Sequence, residues 1–135
     1  MSKKSIKFAK FYLKQFNSKA YQSLKRTSII IYQYSLFQQR WVKINKKYIL
    51  ESKELILPYN IFIKEPYRIS RSSITSAIDE LLEKGFIKIY HQGGKSKGDV
   101  TIYNFSNEWE KWSPGHVINK REPYYPKGFC VSKNK

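Results

Sequence analysis

The chain has 135 residues, with 26 Lys plus Arg against 10 Asp plus Glu and a formal net charge of +16. That length implies one domain with its own core, and 41% hydrophobic with 16% aromatic residues excludes a disordered chain. One cysteine, Cys130, excludes an intramolecular disulfide and a cysteine-based zinc site, and fits a reducing compartment.

The sequence is crowded with Lys, Ile, Asn and Tyr and holds three Ala, a composition typical of AT-rich coding. Such a bias inflates Lys but should inflate Glu equally, so the scarcity of acids is the informative half. It points to a polyanionic partner, nucleic acid first and an anionic membrane surface second. The opening MSKKSIKFAKFYLKQF has a lysine every three or four residues and no continuous apolar stretch of the kind a signal peptide needs. The densest apolar cluster, Ile29-Ile30-Ile31-Tyr32, falls far short of the roughly 18 residues of a membrane span. A cytoplasmic protein with no membrane partner is expected.

In chain order, residues 1–17 form a basic, aromatic N-terminal extension. Phe8, Phe11, Tyr12 and Phe16 share one helical face, which either covers the domain core or lies on a membrane. Ser18 caps a short helical turn from Lys19 to Leu24, and Thr27 or Ser28 caps the next helix. That helix runs from Ser28 to Trp41, with Ile30, Ile31, Tyr34, Phe37 and Trp41 at three- and four-residue steps. Lys43 to Lys53 reads as a polar, lysine-rich connection. Leu55-Ile56-Leu57 is a short β-like run stopped by Pro58, and Tyr59 to Glu65 forms a short helix ended by Pro66.

The strongest local signal follows. Ser70 is an N-cap, Ile74, Ala77, Ile78, Leu81 and Leu82 make one apolar stripe, and Gly85 just past Lys84 is a C-cap signature. Phe86 to His91 and Val100 to Phe105 read as strands, joined by the glycine-rich basic loop Gln92 to Asp99. Residues 107–135, with Trp109, Trp112 and several prolines and glycines, read as an irregular C-terminal extension packed by its aromatics. Helix, glycine, strand, long hairpin and strand outline an α+β winged helix-turn-helix over residues 18–106, mostly helical with a small antiparallel sheet and a β-hairpin wing.

With these residues the chain resembles small winged helix-turn-helix DNA-binding proteins of bacterial mobile elements, plasmids and phages. The resemblance runs from about Phe8 to Phe105. It rests on Phe8-Ala9-Lys10-Phe11, on Ser18-Lys19-Ala20-Tyr21-Gln22-Ser23-Leu24, and on Ile69-Ser70-Arg71-Ser72-Ser73 leading into Ile78-Asp79-Glu80-Leu81-Leu82-Glu83-Lys84-Gly85-Phe86-Ile87. The motif's second helix departs from the usual form, being short, β-branched and closed by Pro66. The resemblance implies binding of double-stranded DNA by the helix opening at Ser70 and by the hairpin, in a transcriptional or replication regulator of a mobile element or virus.

The residues themselves point the same way. Ser70, Arg71, Ser72, Ser73, Thr75 and Ser76 place small hydroxyls and one cation at a helix N-terminus, where phosphates and base edges are met. Asp79, Glu80 and Glu83 would be repelled by phosphates, so only the first two turns should enter a groove. Lys95 and Lys97 stand on a glycine frame suited to a phosphate track or minor groove, and His91 lies at the strand end near them.

Gly94-Lys95-Ser96 matches only the tail of a nucleotide-binding loop, and a strand follows where that loop requires a helix, so ATP binding is rejected. Two histidines, His91 and His116, with no ligand spacing around them, argue against a metal. No catalytic constellation is visible and no cofactor is implied. The alternatives are a winged-helix protein–protein assembly adaptor, and a single-stranded nucleic acid or RNA binder that stacks bases on its many tyrosines. A homodimer through the Trp109/Trp112 segment is a further expectation.

Overall fold

The computed structural model describes residues 11–52, 54–93, 98 and 100–121. Among them five α-helices alternate with short strands: α1 Leu13–Phe16, α2 Lys19–Gln22, α3 Arg26–Leu36, β1 Arg40–Ile44, β2 Lys47–Ser52, β3 Glu54–Leu55, α4 Tyr59–Ile63, α5 Arg71–Glu83, β4 Ile87–His91 and β5 Ile102–Phe105, followed by a 3-10 turn over Glu108–Lys111. The protein is thus α+β, with two small antiparallel sheets. One is the β1–β2 ribbon; the other has the order β3–β5–β4, so β3 pairs with the last strand rather than with its neighbour in sequence.

The apolar periodicity of α5 dictates the packing. Ile74, Ala77, Ile78, Leu81 and Leu82 are all buried, as the spacing predicts, and α5 lies against α3. Phe62, Phe86, Ile31 and Ile87 complete the solvent-free centre. Ser70 caps α5, its Oγ accepting from the Ser73 N–H at 3.3 Å. At the other end the chain leaves through Gly85 in the left-handed region, φ +85°. A Cβ there would stand 2.7 Å from the backbone of Glu108 and Trp109, so glycine is required twice over, by conformation and by contact.

Three sequence expectations need correction. The helix expected from Ser28 to Trp41 spans Arg26–Leu36, and neither Thr27 nor Ser28 caps it. Lys25 is its N-cap residue, and the cap is supplied from 55 residues away, where the Glu80 carboxylate of α5 accepts the Lys25 N–H at 3.1 Å. The N-terminal aromatic face is also shorter than expected. Tyr12 is extended and 61% exposed, Phe11 packs on Tyr21 with ring centres 5.0 Å apart, and Phe8 lies outside the described residues.

The third correction is the largest. The polar connection expected from Lys43 to Lys53 is the β1–β2 hairpin, with Trp41 opposite Leu50 and Val42 opposite Ile49. Asn45 and Lys46 at its tip both have positive φ, 51° and 67°, the two-residue turn that matches the twist of a hairpin. Each face of the ribbon mixes a lysine with apolar residues, Lys43 with Trp41, Tyr48 and Leu50 and Lys47 with Val42, Ile44 and Ile49, so no apolar/polar alternation marks the strands.

Glu80 makes the α3–α5 contact sensitive to acid. Its carboxylate also accepts from Ser28 Oγ and pairs with Lys84 at 2.9 Å. Burial pushes its pKa up, but the hydrogen bonds from Ser28, Lys84 and Lys25 outweigh that and hold it below the usual carboxylate value. A depressed folded pKa contributes stability that is present above the unfolded value and lost as pH falls through the folded one. Glu80→Gln should therefore flatten the pH dependence of stability on the acid side of about 4.5, as read by urea unfolding at several pH values. An unchanged profile would show that Glu80 does not hold the two helices.

Candidate nucleic-acid interface

The first two turns of α5 carry the hydroxyls that the sequence singles out. Ser70, Ser72, Ser73 and Ser76 are exposed, and the first three are linked, Ser70 Oγ lying 2.9 Å from Ser73 Oγ and 3.3 Å from Ser72 Oγ. Arg71 is exposed with its guanidinium over the Tyr59 ring, 5.7 Å from the ring centre. Thr75 differs from its neighbours. It is half-buried, and its hydroxyl shares a hydrogen bond of 2.7 Å with the Tyr59 hydroxyl. Its role is to anchor α4 to α5, which removes it from the exposed set.

Tyr59 is the residue that sequence reasoning misses here. It stands at the first position of α4, just after Pro58, and reaches both Arg71 and Thr75. Only its spacing after a proline marks it as a helix start.

The chain reverses at Gly85 and the sheet runs back along α5. Tyr103, opposite Ile89 in the β4–β5 pair, lies within electrostatic reach of Arg121 and Asp79. Burial pushes its hydroxyl up to about 12, and Arg121 opposes the shift. His91 is the last residue of β4 and is exposed. Lys88 and Tyr90 are exposed on the same strand, Tyr90 at 62%. The hairpin closes where the Gly93 N–H donates to Thr101 Oγ1 at 3.0 Å. Lys95 and Lys97 lie outside the described residues.

The acids of α5 are the second finding. Asp79 accepts from Arg121 Nε at 2.8 Å, and Glu80 is turned inward to Ser28, Lys25 and Lys84. Two of the three carboxylates expected to repel phosphates are thereby compensated within the chain, and Glu83 stays exposed. Arg121 comes from the C-terminal extension. The backbone N–H groups of Ile118 and Asn119 donate to the carbonyls of Glu83 and Leu82, closing the C-terminal end of α5 and carrying Arg121 alongside it. Nothing in the local sequence around Arg121 announces that partner, which is 42 residues away.

Trp109 is buried and stacks on Phe86 with ring planes 10° apart, and Lys84 sits over Trp112. Trp109 is thus a core residue of its own chain and is not available as the dimer contact that the sequence suggests. Among the described residues there is no cluster of metal-ligating side chains, and no helix is long and apolar enough to cross a membrane. Comparison with protein-family models, with curated proteins and with solved structures gives no match.

Proposed function

We propose that the chain is a winged helix-turn-helix protein that binds double-stranded DNA. It acts in the cytoplasm by binding alone, without catalysis, as a small transcriptional or replication regulator of a mobile element or virus. The observation that carries this reading is the order α3, β3, α4, α5, β4, β5, with the β1–β2 hairpin inserted between α3 and β3 and with β3 paired to β5, combined with exposed serines and Arg71 on the first turns of α5. The excess of cations and the internal pairing of Asp79 and Glu80 support it, since they reduce the uncompensated negative charge along α5.

In this reading α5 enters the major groove with its N-terminal residues, and the loop between β4 and β5 follows phosphates. The two surfaces have separable signatures. Removing Lys95 and Lys97 together should weaken binding to all duplexes alike and lower the log–log salt slope by about 0.9 for each phosphate no longer neutralised. Replacing Ser72, Ser73 and Ser76 should leave that slope nearly unchanged. It should narrow the gap between preferred and random DNA, by about 1–3 kcal/mol for each base-edge interaction removed. Binding-site selection on random duplexes followed by titrations of both variants tests this. If the double-lysine variant loses sequence preference while the serine variants lose only salt dependence, the assignment is inverted.

A second reading, an assembly adaptor, draws on the β1–β2 ribbon. Ile44 and Ile49 share one face of it and are about half exposed, 51% and 48%. An adaptor would bind an acidic protein with an affinity insensitive to competing duplex, whereas a DNA binder would be displaced from it.

A further inference from the structure

No Asp or Glu precedes Glu51, so the first 50 residues hold 12 Lys and Arg while all 10 acids come later. The last four of those cations, Arg40, Lys43, Lys46 and Lys47, fall on the β1–β2 hairpin. Residues 43–49 are exposed without interruption, and among the described residues no carboxylate pairs with Lys43, Lys46 or Lys47. Lys43 lies over the Tyr48 ring, 5.8 Å from its centre, which leaves the ammonium charge uncancelled. Ile44, Tyr48 and Ile49 are about half exposed on the same hairpin. A two-stranded ribbon gains little from its own pairing in water, so this open apolar and cationic surface is not offset within the chain.

The cross-strand register decides what such a ribbon can hold. Lys43 stands opposite Tyr48 and Ile44 opposite Lys47, and neighbouring pairs project to opposite faces. The hairpin therefore carries Lys43 on one face, Lys47 on the other and Lys46 at the turn. A flat anionic surface would meet one face and leave the other lysine in water. A protein core would bury a lysine on whichever face it covered, and a second copy would set like charges together. A duplex groove differs from all three, because a row of phosphates runs along each of its walls. On the major side it is about 12 Å wide and admits a two-stranded ribbon. From Arg40 to Ile44 the strand advances about 13 Å at roughly 3.3 Å per residue, enough to cross that groove.

We propose that the β1–β2 hairpin is a second arm that enters a groove of the bound duplex, with Lys43 and Lys47 on opposite phosphate rows and Lys46 at the tip. This arm rests on the duplex binding proposed above and extends it. The β1–β2 ribbon is a sheet separate from β3–β5–β4, whose β4–β5 loop follows phosphates in that reading, so the two hairpins contribute independent charge.

The test combines Lys43→Gln, Lys46→Gln and Lys47→Gln in the full chain, with the three arginine substitutions as the charge-keeping counterpart. Both variants and the unaltered chain are titrated against a labelled duplex at several salt concentrations and footprinted with hydroxyl radicals. The glutamine variant should bind every duplex about tenfold or more weakly at about 0.1 M salt, and its log–log slope should fall by about 0.9 for each phosphate released. The arginine variant should restore both. In the footprint the glutamine variant should lose protection along one flank of the site and keep the rest, whereas removing Lys95 and Lys97 should leave that flank protected. If the unaltered chain binds no duplex, the DNA reading fails and the arm falls with it. If the unaltered chain binds and the glutamine variant keeps its affinity, slope and footprint, the arm alone is overturned. A loss that arginine does not restore would overturn it by revealing a structural role. Loss of binding to phosphatidylserine vesicles with duplex binding intact would make the hairpin a lipid surface and overturn it as well.

Discussion

Raising salt from about 50 to about 200 mM should weaken binding to duplex DNA by roughly a thousandfold, if about six phosphates are contacted. Each neutralised phosphate releases condensed counterions, so the logarithm of affinity falls linearly with the logarithm of salt, with a slope near −0.9 per phosphate. The chain has the charge for this, +16 overall, and the fold lowers the main internal obstacle. Asp79 is held by Arg121, and Glu80 is turned into the α3–α5 contact. Anisotropy of a labelled duplex, titrated at several salt concentrations, measures the slope. A nearly flat response would remove the electrostatic docking on which the DNA reading stands.

How much of this is legible in the sequence depends on whether the determining interactions are local. Around α5 they are. The Ser70 cap acts over three residues, the apolar stripe repeats every three or four, and Gly85 marks the exit, so cap, buried face and the following strand are all readable. At α3 the cap is a side chain 55 positions away, and the local sequence offers Thr27 or Ser28 instead. Ser28 is buried and serves the contact with Glu80 rather than the helix end.

The β1–β2 hairpin escapes the sequence for a different reason. Its turn is Asn45-Lys46, where Asn tolerates a left-handed conformation but lacks the glycine that usually follows it in such a turn. Its lysines fall among apolar positions, so its composition resembles a solvated loop. For the site, the serines and Arg71 are readable as a hydroxyl-rich helix start. The anchoring of Thr75 by Tyr59 and the compensation of Asp79 by Arg121 are not, because both partners come from other elements.

Leu81→Ala should cost about 2–5 kcal/mol of stability, the range for a large-to-small change in a closed core. Leu81 is 1% exposed, on the stripe that α5 turns toward α3, and its carbonyl accepts the Phe86 N–H at 3.0 Å. The missing side chain would leave a void in a core whose other members, Ile78, Leu82 and Phe86 among them, are without solvent contact and close-packed. Glu83→Ala, on the exposed side of the same helix, should change stability by no more than about 0.5 kcal/mol. The pair is a measurement of phase, made by chemical unfolding. A helix has one rotation about its axis, so the residues that face α3 determine which residues face outward. With Leu81 inward, Ser72 and Ser76 face outward with Asp79, as the proposed groove-reading surface requires. If Leu81→Ala costs nothing while Glu83→Ala destabilises, the helix is rotated from its assigned phase and those serines cannot meet DNA.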